Sequence, residues 1–186
     1  MKRIFDLVVG TILFILLVLP MLLMAIAVRL TSKGPVFYWS DRVGCNNVIF
    51  KMPKYRTMRV DTPIVATHLL NDPNVYLTPI GGFLRKSSLD ELPQLFSILK
   101  GDMSFVGPRP ALFNQDDLIT LRIEQGVDQL VPGLTGWAQV NGRDELPNSE
   151  KVKFDVEYMQ WQSFWFDLYI IWMTFLKVVY RDGVSH

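Results

Sequence analysis

A chain of 186 residues with a net charge of +1 and 49% hydrophobic content is long enough for one domain with an ordinary core, and its Pro and Gly residues are not pooled into a linker. The near-neutral total hides an asymmetry: residues 1–60 hold nine Lys and Arg against Asp6 and Asp41, a local net of +7, so the remainder carries −6. A basic block beside an apolar segment fits anionic lipid headgroups, no recognised motif points to nucleic acid, and the lone Cys45 excludes an intramolecular disulfide or a paired-thiolate metal site.

The first element is the stretch from Leu7 to Val28, 22 residues without a charge, about 33 Å as a straight helix and enough to cross a hydrocarbon core. Pro20 removes the donor owed to the Leu16 carbonyl, which predicts a kink or break at Leu19-Pro20. Lys2 and Arg3 on one flank and Arg29 and Lys33 on the other give a plain span no orientation. A re-entrant hairpin turning at Pro20 would leave both basic flanks on the cytoplasmic side. Ala25-Ile26-Ala27 has the small-x-small form of a leader cleavage site, but the apolar Met21 to Met24 lack a polar c-region, so an uncleaved N-terminus is expected.

The middle of the chain is polar and punctuated by turn signals at Asp72-Pro73, Thr78-Pro79, Gly81-Gly82, Pro132-Gly133 and Asn141-Gly142, which predicts alternating helices and short strands. The stretch from Ser87 to Phe96 predicts a helix start, with a hydroxyl cap, Asp90 and Glu91 in the first turn and Pro93 near the N-terminus. Two acids there offset the helix dipole without any catalytic role. They can equally divide the work of nucleophile and metal ligand where backbone donors attract a phosphate. Arg85 precedes the pair, and Lys51, Lys54, Arg56 and Arg109 are further cations that could converge on a diphosphate. In Pro108-Arg109-Pro110 two prolines restrict the backbone around one guanidinium, as a rigid turn or as an anion contact. Nothing has the spacing of a P-loop, a dinucleotide fingerprint or a zinc site, and His68 and His186 are isolated.

Near the C-terminus Trp161, Trp165, Leu168, Trp172 and Phe175 recur at helical spacing, which suits either an interfacial helix or an aromatic core helix.

Three blocks together resemble the bacterial sugar transferases: Lys2-Arg3-Ile4-Phe5-Asp6; Ser88-Leu89-Asp90-Glu91-Leu92-Pro93-Gln94 running on through Lys100-Gly101-Asp102-Met103-Ser104-Phe105-Val106-Gly107-Pro108-Arg109-Pro110; and Pro132-Gly133-Leu134-Thr135-Gly136-Trp137-Ala138-Gln139-Val140-Asn141-Gly142-Arg143. The chain is similar in length to the small monotopic phosphoglycosyl transferases of that family. The resemblance implies a mainly α protein with short β elements. Residues 1–33 would form a re-entrant helix-break-helix, and residues 34–186 a compact catalytic domain docked through amphipathic helices on the cytoplasmic face of the bacterial inner membrane.

It also implies transfer of a sugar 1-phosphate from a UDP-sugar to undecaprenyl phosphate with release of UMP. Asp90 would be the nucleophile of a covalent aspartyl-phosphosugar intermediate and Glu91 the Mg²⁺ ligand. Arg109 within Pro108 and Pro110, with Arg85, Arg143 and Lys54, would contact the donor. An N-acetylated amino sugar is the expected cargo, by analogy with small members. Members often place Ser before the break proline, where Leu19 stands here. Direct transfer without a covalent step, and a non-catalytic membrane scaffold that associates with later glycosyltransferases or with itself, are the alternatives.

Overall fold

The computed structural model describes residues 1–63, 72–142 and 146–180. Helix α1 (Lys2–Thr31) is followed by the antiparallel hairpin β1 (Phe37–Val43) and β2 (Ile49–Tyr55), in register from Phe37 opposite Tyr55 to Val43 opposite Ile49. Asn46 and Asn47 turn this hairpin with φ of 52° and 60°, a left-handed conformation that Asn tolerates better than most residues. Short helices α2 (Gly81–Lys86) and α3 (Gln94–Lys100) precede β3 (Ser104–Val106), which pairs in parallel with β4 (Gly133–Thr135). Helix α4 (Asp116–Glu124) lies between those strands in sequence, and α5 (Trp137–Asn141), α6 (Asn148–Trp161) and α7 (Phe164–Tyr180) complete a mainly helical chain with short strands.

The main core joins Phe50 and Met52 of β2, Leu95 and Ile98 of α3, Phe105 and Val106 of β3, Tyr158 of α6 and Ile170 of α7. Phe5, Val9, Leu13 and Leu17 of α1 pack against this core, and Met24, Ala25 and Val28 pack on a second cluster with Tyr55 and Leu84. These positions follow a helical period, so one stripe of α1 lies along the domain for nearly its whole length. Gly10 permits the closest approach, since a Cβ there would sit 3.1 Å from Leu99 Cδ2. The opposite face, including Ile12, Ile15, Leu16, Leu19, Leu22, Leu23 and Ile26, is exposed.

Three sequence expectations are corrected. First, α1 is one helix with Pro20 in its interior rather than two helices separated by a break at Leu19-Pro20. A proline forfeits a single intrahelical bond, and packing along the whole stripe holds the segments on either side. Just beyond the proline, Tyr55 Oη donates to the Met21 carbonyl at 2.6 Å.

Second, Lys2 and Arg3 bind protein groups. Lys2 Nζ lies 2.6 Å from Asp167 at the start of α7, and Arg3 donates to the Ile98 and Leu99 carbonyls at the end of α3 at 2.6 and 2.7 Å. Buried Asp6 accepts from Ser104 Oγ and Phe105 N, both at 3.1 Å, which accounts for the acid beside two bases in the first block.

Third, Trp161 ends α6, and the chain turns at Gln162 before α7 begins. The aromatic stripe still faces outward, with Trp165 at 77% exposure, while Phe166, Ile170 and Met173 turn to the core.

Candidate active site

Asp90 and Glu91 sit in a single 3-10 turn, Leu89–Glu91, entered through Ser88 at φ 56°. The expected hydroxyl cap is absent: Ser88 makes no side-chain cap bond, and Ser87 Oγ instead donates back to the Phe83 and Leu84 carbonyls of α2. The α-helix proper starts later, at Gln94, with Pro93 as its cap residue, where a missing N–H costs nothing. The two carboxylates thus project from a tight turn wedged between α2 and α3.

Their surroundings differ. Asp90 is 8% exposed, and burial pushes its carboxyl up to about 6 against the opposing pull of Lys54 and Arg85, with the neighbouring Glu91 charge adding to the rise. Burial would also raise Glu91, but Lys54, Arg109 and Arg42 outweigh it and hold that carboxyl at about 2. Lys54 Nζ, on β2, donates to Glu91 Oε1 at 2.7 Å, and Arg109 Nη2 approaches the same oxygen at 3.6 Å. Adjacent acids driven apart in this way suit different tasks. The more basic Asp90 carboxylate is the better nucleophile, while Glu91 stays anionic and anchors cations.

Arg85 lies in the last turn of α2, where its Nε donates to Thr57 Oγ1 at 3.0 Å and its charge acts on Asp90. The Pro108-Arg109-Pro110 turn is held by all three of its carbonyls. Gly133 N donates to Pro108 O at 2.9 Å, Arg122 Nη1 to Arg109 O at 2.9 Å, and Arg42 Nη1 to Pro110 O at 3.0 Å. Gly133 is required here, because a Cβ would stand 2.1 Å from Gly107 N. Arg122 is itself gripped by Asp155, whose Oδ2 accepts from Nε at 3.0 Å and from Nη2 at 2.7 Å.

The structure therefore brings together Asp90, Glu91, Lys54, Arg85 and Arg109. Lys51 is elsewhere, paired with Asp41 at 3.0 Å on the exposed hairpin, and Arg56 turns toward Ser32 and Pro35. Arg143 lies outside the described residues, as does His68. Sequence reasoning missed Arg42, Arg122 and Asp155. Their partners are 13 to 68 positions away in the chain, and no local motif marks them. Buried Gln94, three residues beyond Glu91, carries an amide nitrogen without a partner among the described residues, a spare donor beside the turn.

Among the described residues no group of three or more His, Cys, Asp and Glu side chains could cage a metal. Two adjacent carboxylates, one of them firmly ionised, fit Mg²⁺ of the kind completed by substrate phosphates and water.

Residues 1–181 match the family described as bacterial sugar transferase. Over 186 residues, 95% of this chain, it is 40% identical to a UDP-glucose:undecaprenyl-phosphate glucose-1-phosphate transferase of Escherichia coli strain K12, of which it covers 40%. A sugar transferase of Bacillus subtilis strain 168, EpsL, is 40% identical over 185 residues, a match covering 100% of this chain and 90% of that protein. An undecaprenyl-phosphate galactose phosphotransferase of Salmonella typhimurium is 36% identical over 204 residues, 98% of this chain and 41% of that protein. The chain thus spans about two fifths of the longer relatives and nearly all of the shorter one. With the match running from the first helix through the carboxylate turn to the end of α7, the chain belongs to the bacterial sugar transferase family.

Proposed function

We propose that this protein is a membrane-bound phosphoglycosyl transferase that moves a sugar 1-phosphate from a UDP-sugar to undecaprenyl phosphate and releases UMP. The observation that carries the reading is the carboxylate pair, with Asp90 at about 6 and Glu91 at about 2, set among Lys54, Arg85 and the clamped Arg109. The relatives' printed names add undecaprenyl phosphate as acceptor and UDP-glucose as donor in one case, and galactose as cargo in another. Those names favour a neutral hexose over the N-acetylated amino sugar expected from the sequence.

In this mechanism an Asp90 carboxylate oxygen attacks the phosphorus that bears the sugar. The bond from that phosphorus to the bridging oxygen breaks, and UMP leaves with the oxygen and the electron pair. A phosphate oxygen of the carrier then attacks the same phosphorus and frees the Asp90 carboxylate. Arg109, Arg85 and Lys54 orient the diphosphate and take up the charge that develops on it. Mg²⁺ held by Glu91 and the donor phosphates would supply further neutralisation of the leaving group.

The membrane part of the reading has helix α1 lying in the cytoplasmic leaflet of a bacterial inner membrane through its exposed apolar face, with the rest of the chain on the cytoplasmic face. It is supported by the contacts at both ends of α1, Lys2 with Asp167 and Val28 with Tyr55 and Leu84, which tie the two ends to one domain. Such placement lets a polyprenyl phosphate meet the dyad without leaving the bilayer.

The test incubates the detergent-solubilised protein and Mg²⁺ with UDP-glucose, UDP-galactose and the UDP-N-acetylhexosamines, with and without undecaprenyl phosphate. UMP release accompanied by a sugar-diphospholipid, both lost in Asp90→Asn, is the expected result. Undiminished UMP release by Asp90→Asn would overturn the covalent step.

A further inference from the structure

Arg56, two residues after Lys54, points away from the dyad and is 5% exposed. Its Nε donates to Pro35 O at 2.6 Å, and its Nη2 to Ser32 O at 3.2 Å and Ser32 Oγ at 2.9 Å. These are neutral oxygens, and no carboxylate pairs with it among the described residues. Burial, then repulsion from Arg29, lowers its pKa. A buried cation held by neutral groups gains stability when an anion arrives.

Arg56 lines a groove of about 470 Å³. Lys33 and Arg59 share the lining, with Val60, Leu77 and Pro79 as apolar wall, and Asp61 is already held by Arg59 at 2.6 Å. The groove begins at Ser32 and Lys33, the residues that directly follow α1, so it opens where the apolar helix ends. On its inner side Thr78 N, from the lining, donates to Thr57 O at 2.9 Å, and Thr57 Oγ1 in turn receives Arg85, the arginine that acts on Asp90. Thr57 and its bonds thus link the groove to Arg85, one of the cations beside the dyad.

We propose that this groove binds the phosphate of a membrane lipid, with Lys33, Arg56 and Arg59 as its charged contacts and Val60, Leu77 and Pro79 against the first part of the lipid chain. The apolar wall and the position at the end of α1 favour a lipid over a soluble anion. The phosphate has two sources, the polyprenyl phosphate carrier or an anionic phospholipid. Only the first of these rests on the transferase reading given above.

The experiment places full-length Asp90→Asn protein, which cannot consume its ligands, in phosphatidylcholine nanodiscs. Undecaprenyl phosphate or phosphatidylglycerol is titrated in, and retained lipid is counted by native mass spectrometry. The comparison is with the same protein carrying Lys33→Gln and Arg59→Gln, and UDP binding reports that the fold survives. The exposed side chains of Lys33 and Arg59 make that variant safe for the core. Retention of one lipid should fall roughly 10- to 30-fold, the scale of two basic side chains at a phosphate-bearing surface. A fall for undecaprenyl phosphate assigns the groove to the carrier, and a fall for phosphatidylglycerol assigns it to a phospholipid. Unchanged retention of both overturns the proposal. Absence of UMP release by the unmodified protein with any donor would sink the transferase reading while leaving the phospholipid arm of this test intact.

Discussion

Asp90 is placed at a cost that can be measured directly. Its carboxyl titrates near 6 when folded, against an ordinary value of 3.8. Between those values the folded protein binds a proton that the unfolded chain releases, so stability falls as pH rises from about 4 to about 6 and stays low above that. At about 1.4 kcal/mol per pH unit, the gap from 3.8 to about 6 corresponds to roughly 3 kcal/mol lost at pH 8. Asp90→Asn removes the charge and should recover most of that. For a domain of this size the gain is about 2–4 °C in Tm per kcal/mol, hence roughly 6–12 °C at pH 8, shrinking to a small fraction at pH 4. Glu91, held at about 2, acts in the opposite sense, its stabilisation being lost as pH falls from about 4.5; it is present in both proteins and largely cancels. The assay is thermal unfolding in detergent at matched scan rates, followed by tryptophan fluorescence at both pH values. Equal melting temperatures at pH 8, or a gap that does not change between pH 4 and pH 8, would refute the argument that burial destabilises the Asp90 carboxylate.

The same titration governs activity with the reverse consequence. In the proposed mechanism only the ionised carboxylate attacks, so the rate of UMP release under saturating donor should climb with pH around a midpoint near 6, and a flat profile between pH 5 and pH 7.5 would contradict the assignment. Asp155→Ala leaves Arg122 buried without its counter-charge and should cost about 3–5 kcal/mol of stability, read in denaturant melts. Because Arg122 also holds the Arg109 carbonyl, the residual folded fraction should show a raised KM for the UDP-sugar with the acceptor KM unmoved.

What the sequence made legible was chemistry that is local in the chain. Asp90 and Glu91 are adjacent, Arg109 sits between two prolines, and the apolar run from Leu7 to Val28 holds no charge, so each could be found without knowing the fold, whereas the continuity of that helix through Pro20 could not. What escaped was everything decided by packing across the chain. Lys2 and Arg3 beside an apolar run read as lipid anchors, yet the fold spends them on Asp167 and on the carbonyl end of α3. Nothing within a few residues of Arg42 or Arg122 announces that they steady the turn 68 and 13 positions away. The cap at Ser88 failed for a related reason. Local preference favours a hydroxyl before two acids, but Pro93 delays the α-helix, and the acids land in a tighter turn that points Glu91 at Lys54 of β2 and at Arg109.

The outward-facing aromatic stripe joins the fold to the membrane reading and can be tested on its own. Phe5 of α1 meets Phe164 of α7 edge to face at 5.5 Å, and the Lys2–Asp167 ion pair closes the same junction, so the two helices start side by side. Along α7 from that point Trp165, Trp172 and Phe175 stay exposed, although leaving such rings in water forgoes about 1.5–3 kcal/mol each relative to burial. Rings that are uncovered on a helix otherwise packed into the core fit a face covered by lipid, at the headgroup level where Trp is favoured. Because these side chains have few protein contacts to lose, Trp165→Phe with Trp172→Phe should leave stability within about 0.5 kcal/mol of the parent, as for surface substitutions generally. In vesicles containing lipids brominated near the headgroup, the parent should be strongly quenched and the double variant should lose much of that quenching, despite the three tryptophans that remain of five. Quenching equal in the two proteins would mean that α7 faces water, leaving α1 alone to hold the protein to the bilayer.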